Sequence, residues 1–260
     1  MTGERTSATR RPIAWAAFEE AARSLPDGSR AVIGGTWRER MRQEHLAVGA
    51  FAQLTQELAQ IGCEGAVLEL VARASSDEVR HAEICRRVAT AMLGEGDVPR
   101  AWRGLPKIPM HPRHDAPSRA LFHVVEMCCL SETLTGVFFT EMHARATFQP
   151  TRTVVESLLE DEIDHGRVGW AYLATRARAR SLEGLAQALP EMLARTFGRA
   201  LQGLGRVEDD DAMEAFGYVR DGACAAIFRR ALRDVVIPGF ETLSVDLAPS
   251  RETLAKLLEA

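Results

Sequence analysis

A five-residue motif occurs twice in the 260-residue chain and constrains its fold more than any other feature. The motif is Asp-Glu-x-x-His, found at residues 77–81 (DEVRH) and again at residues 161–165 (DEIDH). Both copies lie in long stretches with helical periodicity, and residues three positions apart on a helix share one face. A carboxylate and an imidazole on one face make half of a metal site, so the two copies predict two halves of one site. The paired residues are Glu78 with His81 and Glu162 with His165.

The composition favours an all-helical protein without a nucleic-acid or membrane partner. Helix-forming Ala, Leu, Arg and Glu are frequent, only two residues are Tyr, and 46% of the chain is hydrophobic, which suffices for a packed core. The net charge of −4 gives no strong attraction to nucleic acid or anionic lipid. No apolar run of membrane-spanning length and no signal-peptide pattern is apparent, and the five cysteines form no Cys-x-x-Cys pair. We therefore expect a cytoplasmic protein with reduced thiols.

The chain divides into three predicted parts. Residues 1–11 are polar and are predicted to form a disordered tail. Residues 12–180 are predicted to form a four-helix bundle with a leading helix at 12–25, and residues 181–260 a helical extension packed on that bundle. The long helices are predicted at about 36–61, 65–93, 119–147 and 152–179, and those of the extension at about 183–203, 210–218, 221–236 and 250–259.

Local signals mark several of the predicted helix ends. Ser118 is a good N-cap for the third long helix, and Thr153 with Glu156 forms a capping-box pattern at the start of the fourth. In the extension, breaks are predicted at residues 203–205 (GLG) and at residues 238–239 (PG).

Residues 94–118 contain five prolines and are predicted to form a long connection that is not helical. A bundle with one long crossover needs such a segment to return the chain from one end to the other. The segment contains His111 and His114. We interpret them as solvated loop histidines in preference to a second metal site.

A Glu on the first long helix is placed level with the first motif. The short break at Gly62 makes the first two long helices antiparallel neighbours. Glu44 lies 18 residues before Gly62 (62 − 44) and Glu78 lies 16 after it (78 − 62), so at about 1.5 Å per residue the two are nearly level. Glu44 also lies in an apolar stripe, where an ionised carboxylate is costly to bury unless it is paired or binds a metal.

The third long helix offers three candidates, and Glu132 is the best placed. It lies 17 residues before Gln149 (149 − 132), whereas Glu162 lies 13 after it (162 − 149), a mismatch of about 6 Å or one turn. Glu126 is much further from this height, and both it and Glu141 point to other sides of the helix.

The sequence thus predicts one site built from four carboxylates and two imidazoles: Glu44, Glu78, His81, Glu132, Glu162 and His165. Mixed oxygen and nitrogen ligands suit iron or manganese better than soft metals. Without metal, the carboxylates are expected to repel one another. A ligating His usually donates its other N–H to a carboxylate, so Asp77 is predicted to hold His165, and Asp161 to hold His81.

These features resemble the ferritin-like superfamily of di-iron carboxylate proteins. The Asp-Glu-x-x-His repeat is similar to that of the bacterial multicomponent monooxygenases and of the ribonucleotide reductase small subunit, and the resemblance covers about residues 36–180. It implies two iron ions, or a manganese–iron pair, reacting with O2 or peroxide. It also implies that Glu78 and Glu162 bridge the metals and that Glu44 and Glu132 are terminal ligands.

Several features of the chain depart from individual members of this superfamily. The position of the reductase's radical tyrosine, one turn after the first motif, is Cys85. The paired Cys-x-x-Cys motifs of rubrerythrins are missing, and compact ferritins lack so long a C-terminal extension.

Mid-helix glycines require a reason, because each costs about 1 kcal/mol relative to alanine. Gly136, Gly166 and Gly169 follow the ligands Glu132 and Glu162 by one or two turns. They could open a substrate cavity beside the metals, with Cys85 nearby, or they could permit close helix packing.

We therefore expect an O2-activating non-haem di-iron oxidase or oxygenase that acts on a small organic substrate and takes electrons from a donor. A homodimer is compatible with this expectation. One alternative is a ferroxidase or peroxide-scavenging protein of the same superfamily. Another is a non-enzymatic bundle that binds metal or is only structural.

Overall fold

The computed structural model describes residues 10–100, 102, 111, 114–179, 182–202 and 211–259, and over these ranges it contains helices and no strand. The all-α prediction is therefore confirmed. The predicted tail at 1–11 falls outside the described residues except for Arg10 and Arg11, and so do residues 101, 103–110 and 112–113 of the predicted crossover and the break at 203–205. The α-helices are α1 (Trp15–Arg23), α2 (Asp27–Gln60), α3 (Gly65–Leu93), α4 (Ala116–Val124), α5 (Thr133–Arg145), α6 (Gln149–Arg178), α7 (Leu185–Gln202), α8 (Asp211–Glu214), α9 (Asp221–Ala231), α10 (Ile237–Thr242) and α11 (Arg251–Glu259).

Four long helical rods form a closed ring of neighbours. The third rod is continuous from α4 to α5, joined by a π-helical segment at Val125–Glu132. Helix α2 packs against α3, α3 against α6, α6 against α5 and the π segment, and α4 back against α2. Short connections at 61–64 and 146–148 make α2 with α3, and α5 with α6, antiparallel hairpins.

Helix α3 has its predicted bounds, whereas α2 begins nine residues earlier than predicted (36 − 27). Pro26 is the N-cap of α2 and Asp27 lies in its first turn, next to the positive end of the helix dipole. Gly34 lies within α2, and its missing side chain allows close contact between α2 and α3. A Cβ at this position would lie 2.8 Å from the Cβ of Met92.

The predicted caps of the third and fourth rods were wrong. Asp115 is the N-cap of α4, and its Oδ1 accepts a hydrogen bond of 2.8 Å from the backbone N–H of Ser118. Helix α6 begins at Gln149, with Pro150 in its first turn, where the missing N–H has no consequence. Thr153 therefore lies inside the helix and donates to the carbonyl of Gln149 at 3.2 Å.

The predicted helix break at residues 238–239 was also wrong. A second π-helical segment, Leu232–Val236, leads without interruption into α10, which contains both residues. Pro238 lies in the first turn of α10, directly after the π segment, where the backbone hydrogen bonds have left the regular α-helical pattern. A proline, which has no N–H to donate, is tolerated at such a position. A Cβ on Gly239 would lie 2.7 Å from the ring of Trp170, so this glycine lets α10 approach α6 closely.

The C-terminal helices share the core of the rods. Leu189 and Phe240 belong to the same buried cluster as Phe51 of α2, and Phe216 and Ile227 lie in a second cluster together with other rod residues. The extension is therefore packed on the rods through apolar burial.

One stretch, Ala116–Arg145, is long and apolar enough to span a membrane, with a mean hydropathy of 1.3 in its most apolar window. The prediction that the chain has no apolar run of membrane-spanning length was therefore wrong. Of that window, 61% is buried inside the protein, as is usual for a core helix of a folded domain.

One of the predicted cavity glycines, Gly169, serves close packing instead. A Cβ on Gly169 would lie 2.4 Å from the Cβ of Cys128 and 3.1 Å from the backbone nitrogen of Cys129, in the π segment. A Cβ on Gly166 would lie 3.6 Å from the hydroxyl of Thr133, an ordinary contact distance, so a small side chain fits there. Gly169 therefore lets α6 approach the π segment closely.

We predict opposite effects for two glycine-to-alanine variants. Gly169→Ala should lower the free energy of unfolding by about 1–3 kcal/mol, because the added methyl group overpacks the contact with Cys128. Gly136→Ala should leave stability unchanged or raise it by up to about 1 kcal/mol, because nothing lies within 4 Å of the added Cβ. Urea unfolding of both variants measures this difference, and equal unfolding midpoints would contradict it.

Candidate metal centre

The structure brings all six predicted ligand residues together between the rods. They form two groups that share Glu78 and Glu162, and within each group the possible ligand atoms lie within 4.8 Å of one another. All six side chains are buried, and the two shared ones are each only 1% exposed. One group is Glu44, Glu78, His81 and Glu162, and the other is Glu78, Glu132, Glu162 and His165.

The level placement of Glu132 and Glu162 follows from the ends of their helices. Helix α5 ends at Arg145 and α6 begins at Gln149, so the residues between them are not helical. Glu132 lies 13 residues before the end of α5 (145 − 132), and Glu162 lies 13 after the start of α6 (162 − 149). The predicted mismatch of one turn therefore disappears.

The π segment at Val125–Glu132 ends on a candidate ligand, and the sequence analysis missed it. π-Helical turns often occur at functional sites, where they shift the direction of the side chains. The segment (VEMCCLSE) carries no Pro or Gly that would have marked it. The nearest signal is Gly169 on α6, which makes room for the backbone of this segment.

Three further Glu residues of the rods, including Glu126 and Glu141 that were set aside, lie outside both groups and have other partners. Glu57 Oε2 lies 2.9 Å from His123 Nδ1. Glu126 Oε2 accepts a hydrogen bond of 2.6 Å from Arg195. Glu141 Oε1 lies 2.5 Å from Arg230 Nη2. The choice of Glu44 and Glu132 by height and helix face is therefore consistent with the structure.

The structure brings the two motifs together in the predicted crossed arrangement. His81 Nε2 lies 3.1 Å from Asp161 Oδ2 in hydrogen-bonding geometry, whereas His165 Nε2 lies 3.5 Å from Asp77 Oδ2 without an aligned hydrogen bond. Each imidazole therefore directs its Nδ1 towards the shared carboxylates. The His81 Nδ1 is 3.2 Å from Glu162 Oε1, and the His165 Nδ1 is 3.1 Å from Glu78 Oε1.

Four inward-facing atoms of the site are buried without an aligned hydrogen bond to any described residue: His81 Nδ1, His165 Nδ1, Glu78 Oε1 and Glu162 Oε2. Buried polar atoms are rarely left without a partner. Their concentration at one point, with Nε2 of each His directed at an Asp, is the pattern of a metal ligand set and its supporting carboxylates. These residues fit two divalent ions with oxygen and nitrogen ligands.

The carboxylates of the site have pKa values shifted in opposite directions. Burial, together with the charges of Glu78 and Glu162, raises the pKa of Glu44 well above its usual value. Burial and Glu162 raise the pKa of Glu132 in the same way. Burial also acts to raise the pKa of Glu78 and of Glu162, but hydrogen bonds outweigh it and both pKa values are lowered. For Glu78 the partners are His165 and His81, and for Glu162 they are Glu132 first and then the same two imidazoles.

Both imidazoles have a raised pKa. Burial alone would lower the pKa of His81, but the surrounding carboxylates of Asp161, Glu162 and Glu78 raise it well above its usual value. The pKa of His165 is raised for the same reason, with Asp77 as the leading partner. The carboxylates also raise one another's pKa values, as their expected mutual repulsion requires, and the raised pKa values favour the protonated forms of Glu44, Glu132 and both imidazoles.

The two supporting Asp residues have different surroundings. Asp161 accepts hydrogen bonds from both Arg80 and Arg10. Against the effect of burial, its pKa is lowered by the hydrogen bond with His81 and by these two cations. Within the described part of the chain, the one arginine paired with Asp77 is Arg73, at 3.8 Å, and this Arg is exposed. The imidazole of His81 is therefore held more firmly than that of His165.

A cavity of about 470 Å³ borders the site on the side of the carboxylates. Ligand pockets in proteins usually have about 300–1,000 Å³, so the cavity suits a small organic molecule. It reaches four of the six residues: Glu44, Glu78, Glu132 and Glu162. Its apolar lining comes from Leu46, Ala47, Ala50, Met127, Leu134, Phe138, Phe139, Ala200 and Phe228.

The cavity does not use the residues predicted for it. Gly136, Gly166, Gly169 and Cys85 are buried, but they are not part of the lining. Side chains of α2, the third rod, α7 and α9 form it instead. The positions of glycines do not indicate these lining residues, because the lining depends on which helix faces pack towards one another.

His111 was interpreted as a solvated loop residue, and this was wrong. It lines the cavity, its Nε2 lies 3.0 Å from Glu126 Oε2, and its backbone has a φ of 46°. A positive φ is uncommon for a residue other than Gly. His114 is exposed, as expected, although its ring contacts Phe122.

Comparisons with protein-family profiles, with curated protein sequences and with solved structures find no match to this chain.

We predict that metal binding releases protons and weakens as the pH falls. Up to four groups have raised pKa values and must lose a proton to act as ligands: His81, His165, Glu44 and Glu132. Calorimetric Zn²⁺ titrations in buffers of different ionisation enthalpy measure the released protons. A binding enthalpy independent of the buffer would contradict the prediction.

We also predict that the two supporting Asp residues contribute unequally. Asp161→Asn should weaken Zn²⁺ binding by about 10–100-fold, the usual cost of losing such a partner. Asp77→Asn should cost less, because its contact with His165 is longer. Competition titrations against a chelator measure both, with melting of the metal-free variants as the control for folding. A larger effect for Asp77→Asn would contradict the asymmetry.

Proposed function

We propose that this protein is a ferritin-like, O2-activating non-haem di-iron oxidase or oxygenase that acts on a small organic substrate. The observation that carries the proposal is the pair of buried ligand groups that share Glu78 and Glu162 and border one cavity. Carboxylates and an imidazole from four packed helices are the ligand set of di-iron carboxylate sites.

The protein's own residues would have three tasks. Glu44 and His81 would hold one ion, Glu132 and His165 the other, and Glu78 and Glu162 both. Asp161 and Asp77 would keep each imidazole oriented with Nδ1 towards the ions. When bound, two iron ions would supply the redox chemistry that cleaves the O–O bond, with an external donor restoring their electrons.

The cavity favours an organic substrate over iron or peroxide. Aromatic and aliphatic side chains make up much of its lining, including Phe138, Phe139 and Phe228. Such a surface gives little binding energy to a metal ion or to peroxide, whereas it stabilises an apolar molecule by removing its surface from water. The ferroxidase and peroxide-scavenging alternative is therefore less well supported.

Anaerobic ferrous titration followed by exposure to O2 tests the proposal. Wild-type protein should bind two irons per chain and form a transient absorption band on exposure to O2. Glu78→Ala and His165→Ala should each lose at least one iron per chain and the band, because the first removes a shared ligand and the second the only imidazole of its group.

Glu57→Gln is the matched control for these variants. Glu57 forms a buried carboxylate–imidazole pair with His123 that lies outside both ligand groups. This variant should keep both irons and the band. Wild-type protein without stoichiometric iron would contradict the proposed function and favour a non-enzymatic bundle. An unchanged band in Glu78→Ala would contradict the assignment of Glu78 as a shared ligand.

A further inference from the structure

Arg40 is a cationic residue placed at the wall of the cavity. It lies one helical turn before Glu44 on α2, about 6 Å along the helix axis, and both residues line the cavity. Its position puts a planar group of hydrogen-bond donors within reach of a molecule that also approaches the carboxylates of the site.

Aromatic rings hold the guanidinium of Arg40 in place. Its Cζ lies 5.0 Å from the ring centre of Trp37, 4.6 Å from that of Phe138 and 5.4 Å from that of Phe139. Cation–π contacts of this kind fix the orientation of a guanidinium but do not neutralise its charge. The charged group is therefore positioned in advance.

Arg40 has no ion pair with any described residue. Its one hydrogen bond within the described part of the chain is to the sulfur of Met142, at 3.3 Å, which is a weak acceptor. The other arginine of the cavity differs, because Arg195 is bonded to both Glu126 and Glu191. Burial lowers the pKa of Arg40 to about 10, which leaves it charged at neutral pH.

We infer that Arg40 binds the carboxylate of the substrate, so that the substrate is a small organic acid with an apolar body. A guanidinium binds a carboxylate through two parallel N–H donors and prefers it to neutral groups. Phe138, Phe139 and Phe228 would enclose the apolar body next to the bound acid group. The inference rests on the proposed function in that it takes this cavity for the substrate site.

A different role for Arg40 would be to balance the charge of the metal site. Glu44 is close enough for its charge to raise the pKa of Arg40 against the effect of burial. In that case, removing the guanidinium would change metal affinity and would not affect the choice between acids and neutral molecules. The two roles therefore predict different results for one variant.

Calorimetric binding of matched probes tests the inference. The probes are benzoate with benzamide, and hexanoate with hexanamide, measured on metal-free and Zn²⁺-loaded protein. In each pair, the wild-type protein should bind the acid about tenfold or more tightly than the amide, the range expected for charge-assisted hydrogen bonds. Arg40→Gln should lose this preference while keeping its melting temperature and zinc stoichiometry.

Arg42→Gln is the matched control, because Arg42 lies on the same helix outside the cavity and is paired with Glu39 at 2.6 Å. It should keep the acid preference. If Arg40→Gln does not fold, Arg40→Lys replaces it. Lysine keeps the charge without the planar fork, so the acid preference should be reduced but still present.

Three results would overturn the inference. The first is an equal response to acid and amide in the wild type, whether both bind or neither binds. The second is an acid preference that survives in Arg40→Gln, which would mean that the metal or another group binds the carboxylate. The third is an Arg40→Gln variant with altered zinc affinity and unaltered acid preference.

Failure of this inference can be distinguished from failure of the proposed function, because the probe measurements need neither iron nor O2. An acid preference that depends on Arg40, in a protein that binds no iron, would support the acid-binding site and contradict the di-iron function. Iron binding and O2 reactivity without any acid preference would contradict the inference alone.

Discussion

The structure depends on how buried charge is balanced at its centre. Four carboxylates and two imidazoles meet where the four rods pack, and burying such groups is costly unless opposite charges or protons accompany them. The pKa shifts follow this constraint: burial raises the pKa values of Glu44 and Glu132, hydrogen bonds within the site lower those of Glu78 and Glu162, and the carboxylates raise those of the two imidazoles. Two divalent ions would balance the buried carboxylates, so the charge and the ligand set lead to the same proposal.

The centre has two different sides. The cavity touches carboxylates of the site, whereas neither imidazole is part of its lining. The imidazoles are backed by Asp161 and Asp77 on α6 and α3, and Asp161 is held in turn by Arg80 and Arg10. On one side the Asp residues orient the imidazoles, and on the other side the carboxylates border a cavity large enough for a small molecule. The proposed anchoring by Arg40 belongs to the open side.

Much of the site could be predicted from the sequence because helix geometry relates spacing to position. The rise per residue selected Glu44 and Glu132, and the other Glu candidates have partners elsewhere, as with Glu126 and Arg195. The crossed pairing of Asp161 with His81 followed from the symmetry of two identical motifs on neighbouring helices. All of these inferences use only regular helices.

The rest depends on irregular backbone and on contacts between distant segments. The π segment at Val125–Glu132 has no local sequence signal. Its close contact is with Gly169, which lies on a different helix. His111 was misplaced because its position depends on the fold of a proline-rich connection and on a bond to Glu126. The cavity lining was missed for a similar reason, since α7 and α9 contribute to it from far along the chain.

Anomalous diffraction from crystals of the iron-loaded protein tests the central claim most directly, because it locates the metals themselves. The account predicts two iron peaks per chain about 3.5–4 Å apart, the usual spacing of two-metal sites. Glu78 and Glu162 should lie between them, with one imidazole on each ion. A single peak, or iron bound away from these residues, would contradict the claim that the two motifs form one shared metal centre.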